Sequence, residues 1–498
     1  MSKNLSKSKY CSAVQCPKML WMKTFKPELF DNSVMKESVL ETGNKVGDLA
    51  MNIFGDYTEV EYSEDLTKML DDTKKLIENG TKVICEASFT FDGLFCAVDI
   101  LKNNGNNEVE IYEVKSSTEI KDIYVHDVSY QNYVLENLGY HVTRICLVYI
   151  NNEYVRHGEL DLDQLFNIDD LTAEAKANYE LVQENAAYFK KYLEQEDEPT
   201  MDIGEHCFKP YPCGFWGFCS RNLPQPNVFD IANMRKKFKL YKDGIVSYEQ
   251  LEASNELNDK QRMQVEWELF DKPAFIDKQF VKEFLDGLSY PLYFLDFESY
   301  QSAIPPYDDS KPYEQIVFQY SLHYILEEGG ELYHKEFLAY PGEDPRRKLA
   351  EQLCEDIPLN VCTTAYNMAF EKTRIKGLAE IYPDLADHLM NIHDHIQDLM
   401  IPFQKKMYYE KSMEGSYSIK YVLPALFPGD PALDYHNLEG VHNGGEASAT
   451  FASMETMDKE ELEMWRKNLL KYCCLDTYAM VKVWEKMIEV TTGEKLNY

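Results

Sequence analysis

In PLYFLDFESY, residues 291–300, an apolar run closes on two acids two positions apart. Residues so spaced on a strand point to one face. Asp296 and Glu298 would therefore stand side by side where each costs free energy unless a cation pairs with it. More acids recur in apolar settings downstream. TTAYNMAFEKTRI puts Asn367 and Glu371 at a helix start after a strand, IHDHIQDLMIPF holds Asp394 and Asp398, and LLKYCCLDTYAMVKVW sets Tyr472 and Asp476 four apart, on one helix face. Such a set suits a cage for two hard cations, which take oxygen ligands. Held about 4 Å apart, two such ions bind a scissile phosphate, lower the pKa of a water and stabilise the leaving oxygen. Tyr472, one turn before the last acid, is placed to hold that water.

A second constellation lies nearer the N-terminus. In FCAVDILKNNGNNEVEIYEVKSS, Asp99 ends one strand, and Glu113 and Lys115 share a face of the next. Two carboxylates on adjacent strands can bind one divalent ion, and a lysine beside them can position a water or offset charge building on a phosphate.

Of twelve cysteines, Cys85, Cys96, Cys146, Cys354, Cys362, Cys473 and Cys474 sit in apolar contexts that core packing explains. The exception is HCFKPYPCGFWGFC, with Cys207, Cys213 and Cys219 separated by proline, glycine and aromatics. Three thiolates close together need a fourth ligand for a four-coordinate site. Cys11 and Cys16 in YCSAVQCPKMLW are the upstream candidates, and His206 could join; zinc would serve physically.

The elements that must position these groups are legible in outline. KVICEASFTFDGLFCAVDILK reads as a hairpin around Asp92-Gly93, EVEIYEVKSS as a strand, VSYQNYVLENLGY as a helix ending at Gly139, and VTRICLVYI as an apolar strand. A charged helical segment follows over 169–197. Residues 226–285 are helical, polar and charge-rich, a connector more than a core, and a second α/β pattern runs from about 288. At 498 residues with 44% hydrophobic content, the chain is expected to fold into several packed domains. It has no run of about 18 apolar residues as a membrane span needs, and MSKNLSKSKY lacks the apolar core of a secretory signal. The expected location is the cytoplasm, with no membrane partner.

A net charge of −34 weakens nonspecific affinity for polyanions. Two local exceptions, MRKKFKLYK (234–242) and QKKMYYEK (404–411), interleave cations with aromatics as nucleic-acid surfaces do, although solvated helix faces do the same.

With CPKMLW, VDI, EVKSS, SYQNY and the cysteine triplet, residues 10–222 resemble the PD-(D/E)xK nucleases. The likeness is to the RecB-like branch with an iron–sulfur cluster, which includes CRISPR-associated adaptation nucleases and AddB-type subunits. The resemblance implies that Asp99 and Glu113 bind metal, Lys115 assists attack and Gln131 orients the site. It also implies that Cys16, Cys207, Cys213 and Cys219 hold a 4Fe–4S cluster. Two departures stand out: Gly47 follows Gly43 where that family carries a histidine, and Leu135 replaces a tyrosine after Gln131.

Residues 288–490 resemble the DnaQ-like 3′–5′ exonucleases of the RNase H-like superfamily, in the subgroup with a tyrosine in its third motif. This implies Asp296, Glu298, Glu371 and Asp476 as ligands of Mg²⁺ or Mn²⁺ and Tyr472 as the water-positioning group. Glu371 stands where that family has aspartate, with Asp398 as its rival, and Lys420 is a candidate phosphate contact. The expected fold class is α/β. Residues 1–225 form a restriction-endonuclease-like PD-(D/E)xK domain with its cluster, 226–285 a helical connector, and 286–498 an RNase H-like exonuclease domain. The expected function is a metal-dependent nuclease with two hydrolytic centres acting in DNA repair, processing or antiphage defence. Its partner would be nucleic acid, DNA in preference to RNA, with single-stranded ends favoured at the C-terminal centre. The alternative is a nucleic-acid-binding or complex-assembly protein with a degenerate N-terminal nuclease fold and a structural cluster.

Overall fold

The computed structural model describes residues 5–34 and 37–498; residues 1–4 of the basic N-terminal stretch lie outside them. The chain is mixed α/β and divides into two compact units, Met1–Asn222 with Ser302–Tyr313, and Leu223–Gln301 with Glu314–Tyr498. The segment expected as a connector thus groups with the second unit. It has a small apolar core of its own, in which Val228, Ile231, Leu240, Leu251 and Val265 pack together. Capping boxes at Ser247/Gln250 and Asn258/Gln261 fix the helices that deliver Leu251 and Val265. Among the described residues no helix is long and apolar enough to cross a membrane.

The first unit is built on β1 (Val83–Phe91), β2 (Leu94–Gly105), β3 (Glu108–Lys115), β4 (His141–Ile150) and β5 (Phe166–Asp170), hydrogen-bonded in that order. Asp92 (φ 47°) and Gly93 (φ 73°) join β1 to β2; positive φ at both central residues lets a two-residue turn match the strand twist. Helix α1 (Lys7–Gln15) follows a short strand paired with the start of β2, and α2 (Asp122–Asn137) links β3 to β4. That link makes β3 and β4 parallel, as a helical crossover requires. The Ser302–Tyr313 segment lies against this unit, where Arg156 donates to the carbonyls of Pro305 and Pro306, each at 3.0 Å.

In the second unit, β6 (Leu292–Tyr300), β7 (Ile316–Ile325), β8 (Leu332–Leu338), β9 (Cys362–Ala365) and β10 (Ile396–Asp398) form a sheet of order β8-β7-β6-β9-β10. The first three are antiparallel neighbours; β9 is parallel to β6 and to β10. β6 is interior, and alternation divides its side chains between two cores. Tyr293, Leu295 and Phe297 pack toward Leu349, Ile375 and Leu378, whereas Leu292 and Phe294 pack with Leu475, Ala479 and Trp484. The period of two therefore turns Asp296 and Glu298 to the same face as Leu292 and Phe294. That face is covered by α6 (Lys459–Thr492), preceded in the chain by α3 (Ala369–Ile381), α4 (Ile419–Leu426) and α5 (Gly444–Ser453).

Candidate functional site

In the second unit the acids of β6 meet the acid of α6. Asp296, Glu298 and Cys473 each bring a ligand atom within 4.8 Å of the others'. Asp476 and Glu371 lie close enough to act on Asp296 and Glu298 electrostatically. Burial, followed by the charge of Asp476, pushes both Asp296 and Glu298 well above the usual carboxylate range. Burial raises Asp476 to about 6 and Glu371 to about 8. Buried carboxylate oxygens Oε2 of Glu371 and Oδ2 of Asp476 have no hydrogen-bond partner. An unpaired buried carboxylate is costly, so this cage holds more negative charge than its protein surroundings balance. Space is kept beside it: a Cβ on Gly444, the first residue of α5, would come within 3.4 Å of Glu298 Oε2.

Tyr472 is buried, and its hydroxyl bears on Asp476. Tyr435, which carries no sequence motif, donates to Asp476 Oδ1 at 2.6 Å. Both phenols are held far above their usual pKa by burial and by Asp476, so they remain donors. Lys420 in α4 acts electrostatically on Glu298 and Asp476, and Arg374 on Glu371.

The two candidates for the middle acid occupy different situations. Asp398 accepts from the backbone N–H groups of Asn367, Met368 and Met400 at 3.0, 3.2 and 3.0 Å, so it pins the loop after β9 to β10. Glu371 keeps one oxygen without a hydrogen-bond partner, and Asp398 and Arg374 act on it electrostatically. Asp394 is largely exposed and pairs with His393.

The first unit gathers a different centre. Pairing of β2 with β3 stops at Ile100↔Tyr112, and beyond it the Val114 N–H donates to Asp99 Oδ2 at 2.7 Å. Glu113 receives Lys115 at 2.6 Å, Gln131 at 2.7 Å and Lys7 at 2.8 and 2.9 Å. Asp127, one turn before Gln131, receives Lys115 at 2.7 Å and Gln131 at 3.0 Å. Lys7 also lies 3.6 Å from Asp99 and 3.8 Å from Asp127. Burial opposes ionisation of Glu113, but Lys115 and Lys7 outweigh it and hold the acid well below its usual range. Burial, then Glu113, raises Asp99 to about 6. Glu86 is raised to about 7 by burial and then Asp99.

The expected residues Asp99, Glu113, Lys115 and Gln131 thus converge, with Lys7, Asp127 and Glu86 added. Asp127 stands four residues before Gln131, a spacing that could have signalled a shared face. Lys7 lay in a stretch that reads only as basic. The histidine position of the resembled family is Gly47 in helix Glu37–Ala50, and Leu135 is fully buried in the core.

Cys16, Cys207, Cys213 and Cys219 line one pocket with Met19, Met201 and other residues. Cys16 sits at the junction of two helices, and its sulfur approaches Met201 Sδ at 3.5 Å. Burial raises all four thiols, Cys16 to about 11. Cys11 is elsewhere, half-buried beside Asp127, Lys115 and Lys7. His206 also lines the pocket.

The aromatics of the two cation-rich stretches are buried to different degrees, Tyr241 only in part. Tyr408 and Tyr409 are almost fully buried, and Lys406 donates to the Gly415 carbonyl at 3.0 Å. Phe238 and Leu240 are buried as well.

Residues 293–418 match a family described as a domain of unknown function (DUF2779). The match takes in Asp296, Glu298, Glu371 and Asp398 and stops before Tyr435, Tyr472 and Asp476. The chain is also similar to "Uncharacterized protein UU173" of Ureaplasma parvum serovar 3, 28% identical over 210 residues, which are 38% of this chain and 30% of that protein. The chain therefore spans less than a third of that relative's length. No solved structure matches it.

Proposed function

We propose that the chain is a metal-dependent nuclease whose hydrolytic centre is the carboxylate cage of the second unit, a 3′–5′ exonuclease of the DnaQ-like, RNase H-fold kind. The observation that carries this reading is the set of enclosed acids, Glu298 and Glu371 buried and Asp296 and Asp476 half-buried, with two oxygens unpartnered and no cation in hydrogen-bond contact among the described residues. The oxygen donors of these four acids fit Mg²⁺ or Mn²⁺. When bound, a pair of such ions supplies an activated water and stabilisation of the leaving oxygen. The four acids hold the ions. Tyr472 stays protonated and donates a hydrogen bond that orients water, Tyr435 fixes Asp476, and Lys420 and Arg374 offset the charge of an incoming phosphate. Single-stranded nucleic-acid ends, DNA in preference to RNA, are the proposed substrate.

The first unit, in the RecB-like PD-(D/E)xK reading, would be a second centre with Asp99 and Glu113 as ligands and Lys115 as helper. Its acids are already paired, however, which favours a binding or assembly role for this unit in its resting state. A divalent ion would have to displace Lys7. The all-sulfur set of Cys16, Cys207, Cys213 and Cys219, lining one pocket, fits a 4Fe–4S cluster. Around one zinc at a Zn–S distance of about 2.3 Å, four thiolate sulfurs draw to roughly 3.8 Å from each other. Among the described residues, the ligand groups within 4.8 Å of one another do not include this quartet.

The test is degradation of a 5′-labelled single strand with Mg²⁺ or Mn²⁺. The wild type should shorten it stepwise from the 3′ end and Asp296→Ala should not; equal digestion by both proteins overturns the proposal.

A further inference from the structure

Adjacent cysteines on α6 face different surroundings. Cys473 joins the acid cage, with its sulfur 3.9 Å from Asp296 Oδ2. Cys474 instead meets two histidines on the neighbouring strands. His323 of β7 and His334 of β8 are directly opposite in register, with ring centroids 4.4 Å apart. His323, His334 and Cys474 each offer a ligand atom within 4.8 Å of the others'.

Each ring has one nitrogen tied down. His323 Nδ1 lies 2.8 Å from Thr477 Oγ1, His334 Nε2 lies 2.9 Å from Ser321 Oγ, and the two hydroxyls are 2.7 Å apart. Thr477 and Ser321 thus hold both rings in place beside Cys474. Metal-binding imidazoles are characteristically held in this way, with the non-ligating nitrogen anchored by an outer partner. Glu336, two residues along β8 from His334, exerts its charge on both His334 and Cys474. His334 is exposed while His323 is buried, so the cluster has a path to solvent.

We infer that His323, His334 and Cys474 form a second, softer metal site for a borderline d-block ion of the Zn²⁺ class, with Glu336 or water as fourth ligand. Nitrogen and sulfur donors suit Zn²⁺ and disfavour Mg²⁺, the reverse of the carboxylate cage. On binding, the Cys474 S–H proton leaves to solvent and a sulfur–metal bond forms, with no change of oxidation state. The site ties α6 to β7 and β8 through a residue between Tyr472 and Asp476, so its occupancy braces the helix that serves the cage.

Cobalt(II) is the spectroscopic probe, added to full-length protein freed of zinc. The result expected is one equivalent bound with tetrahedral ligand-field bands and a thiolate-to-cobalt charge-transfer band. These bands should persist in Cys213→Ser, vanish in Cys474→Ser, and vanish or shift in His334→Ala, a change at an exposed position that spares the core. Zn²⁺ should raise the melting temperature of the wild type and of neither cluster variant. Bands unchanged by Cys474→Ser and by His334→Ala, or no cobalt–thiolate band in the wild type, overturn the inference. It stands or falls independently of nuclease activity.

Discussion

Lys7 donates to both carboxylate oxygens of Glu113, at 2.8 and 2.9 Å, and so places an ammonium among the acids of the first unit. That ammonium does what a bound cation would do for Asp99, Glu113 and Asp127. Lys7→Ala removes it while Lys115 and Gln131 remain on Glu113. Breaking a buried pair costs about 3–5 kcal/mol, and the remaining partners put this case at the lower end. In an Asp296→Ala background, Lys7→Ala should melt earlier in EDTA and recover when Mn²⁺ is added, whereas the parent should respond little. Equal Mn²⁺ responses would remove Lys7 from its role as internal counter-ion.

Glu371 and Asp398 should separate function from stability. Glu371→Gln removes a ligand charge from the cage and should lower exonuclease turnover by about two orders of magnitude with a melting temperature at or above the wild-type value. Asp398→Asn weakens charge-assisted bonds to three backbone N–H groups, each worth about 1–3 kcal/mol. It should lower the melting temperature markedly. Thermal melts and single-turnover assays on both proteins decide the matter, and the opposite pattern would exchange the two roles.

The cysteine pocket makes a colour prediction. Anaerobically purified protein should be brown, with broad absorbance near about 400 nm and four irons per chain, as expected of a 4Fe–4S centre. Cys207→Ser should lose most of the iron, and Cys11→Ser should keep it, because Cys11 lies beside Lys7 and Asp127 instead of in the pocket. Colourless protein carrying stoichiometric zinc would replace the cluster assignment.

What the sequence made legible was local. The Asp92-Gly93 turn, the alternation of LYFLDFESY and the four-residue step from Tyr472 to Asp476 each follow from a periodicity of two or 3.6, or from turn chemistry. Those signals suffice to set the hairpin, the acid face of β6 and the reach of α6. Lys7 and Tyr435 were hidden because long-range packing alone brings them into place, and the His323–His334 pair because it depends on the register of the β7–β8 pairing. Lys7 reaches Glu113 across 106 residues and Tyr435 reaches Asp476 across 41, distances over which spacing carries no information. The 226–285 segment misled for another reason: its high charge masks apolar positions that short capped helices bring together.

Divalent-metal binding by the cage, measured as a function of pH, tests the central claim most directly. The folded acids have pKa values raised above those of an unfolded chain, so the metal-free fold binds extra protons. It loses stability as pH rises from the unfolded carboxyl values of 3.8 and 4.5 up to about 6 for Asp476 and about 8 for Glu371. Metal must displace those protons. Calorimetric titration of Mn²⁺ into the full chain should show proton release, and an affinity that rises between pH 6 and 8 by about tenfold per unit for each proton displaced. Asp476→Asn should abolish that binding. Mn²⁺ affinity independent of pH and unchanged by Asp476→Asn would contradict the account.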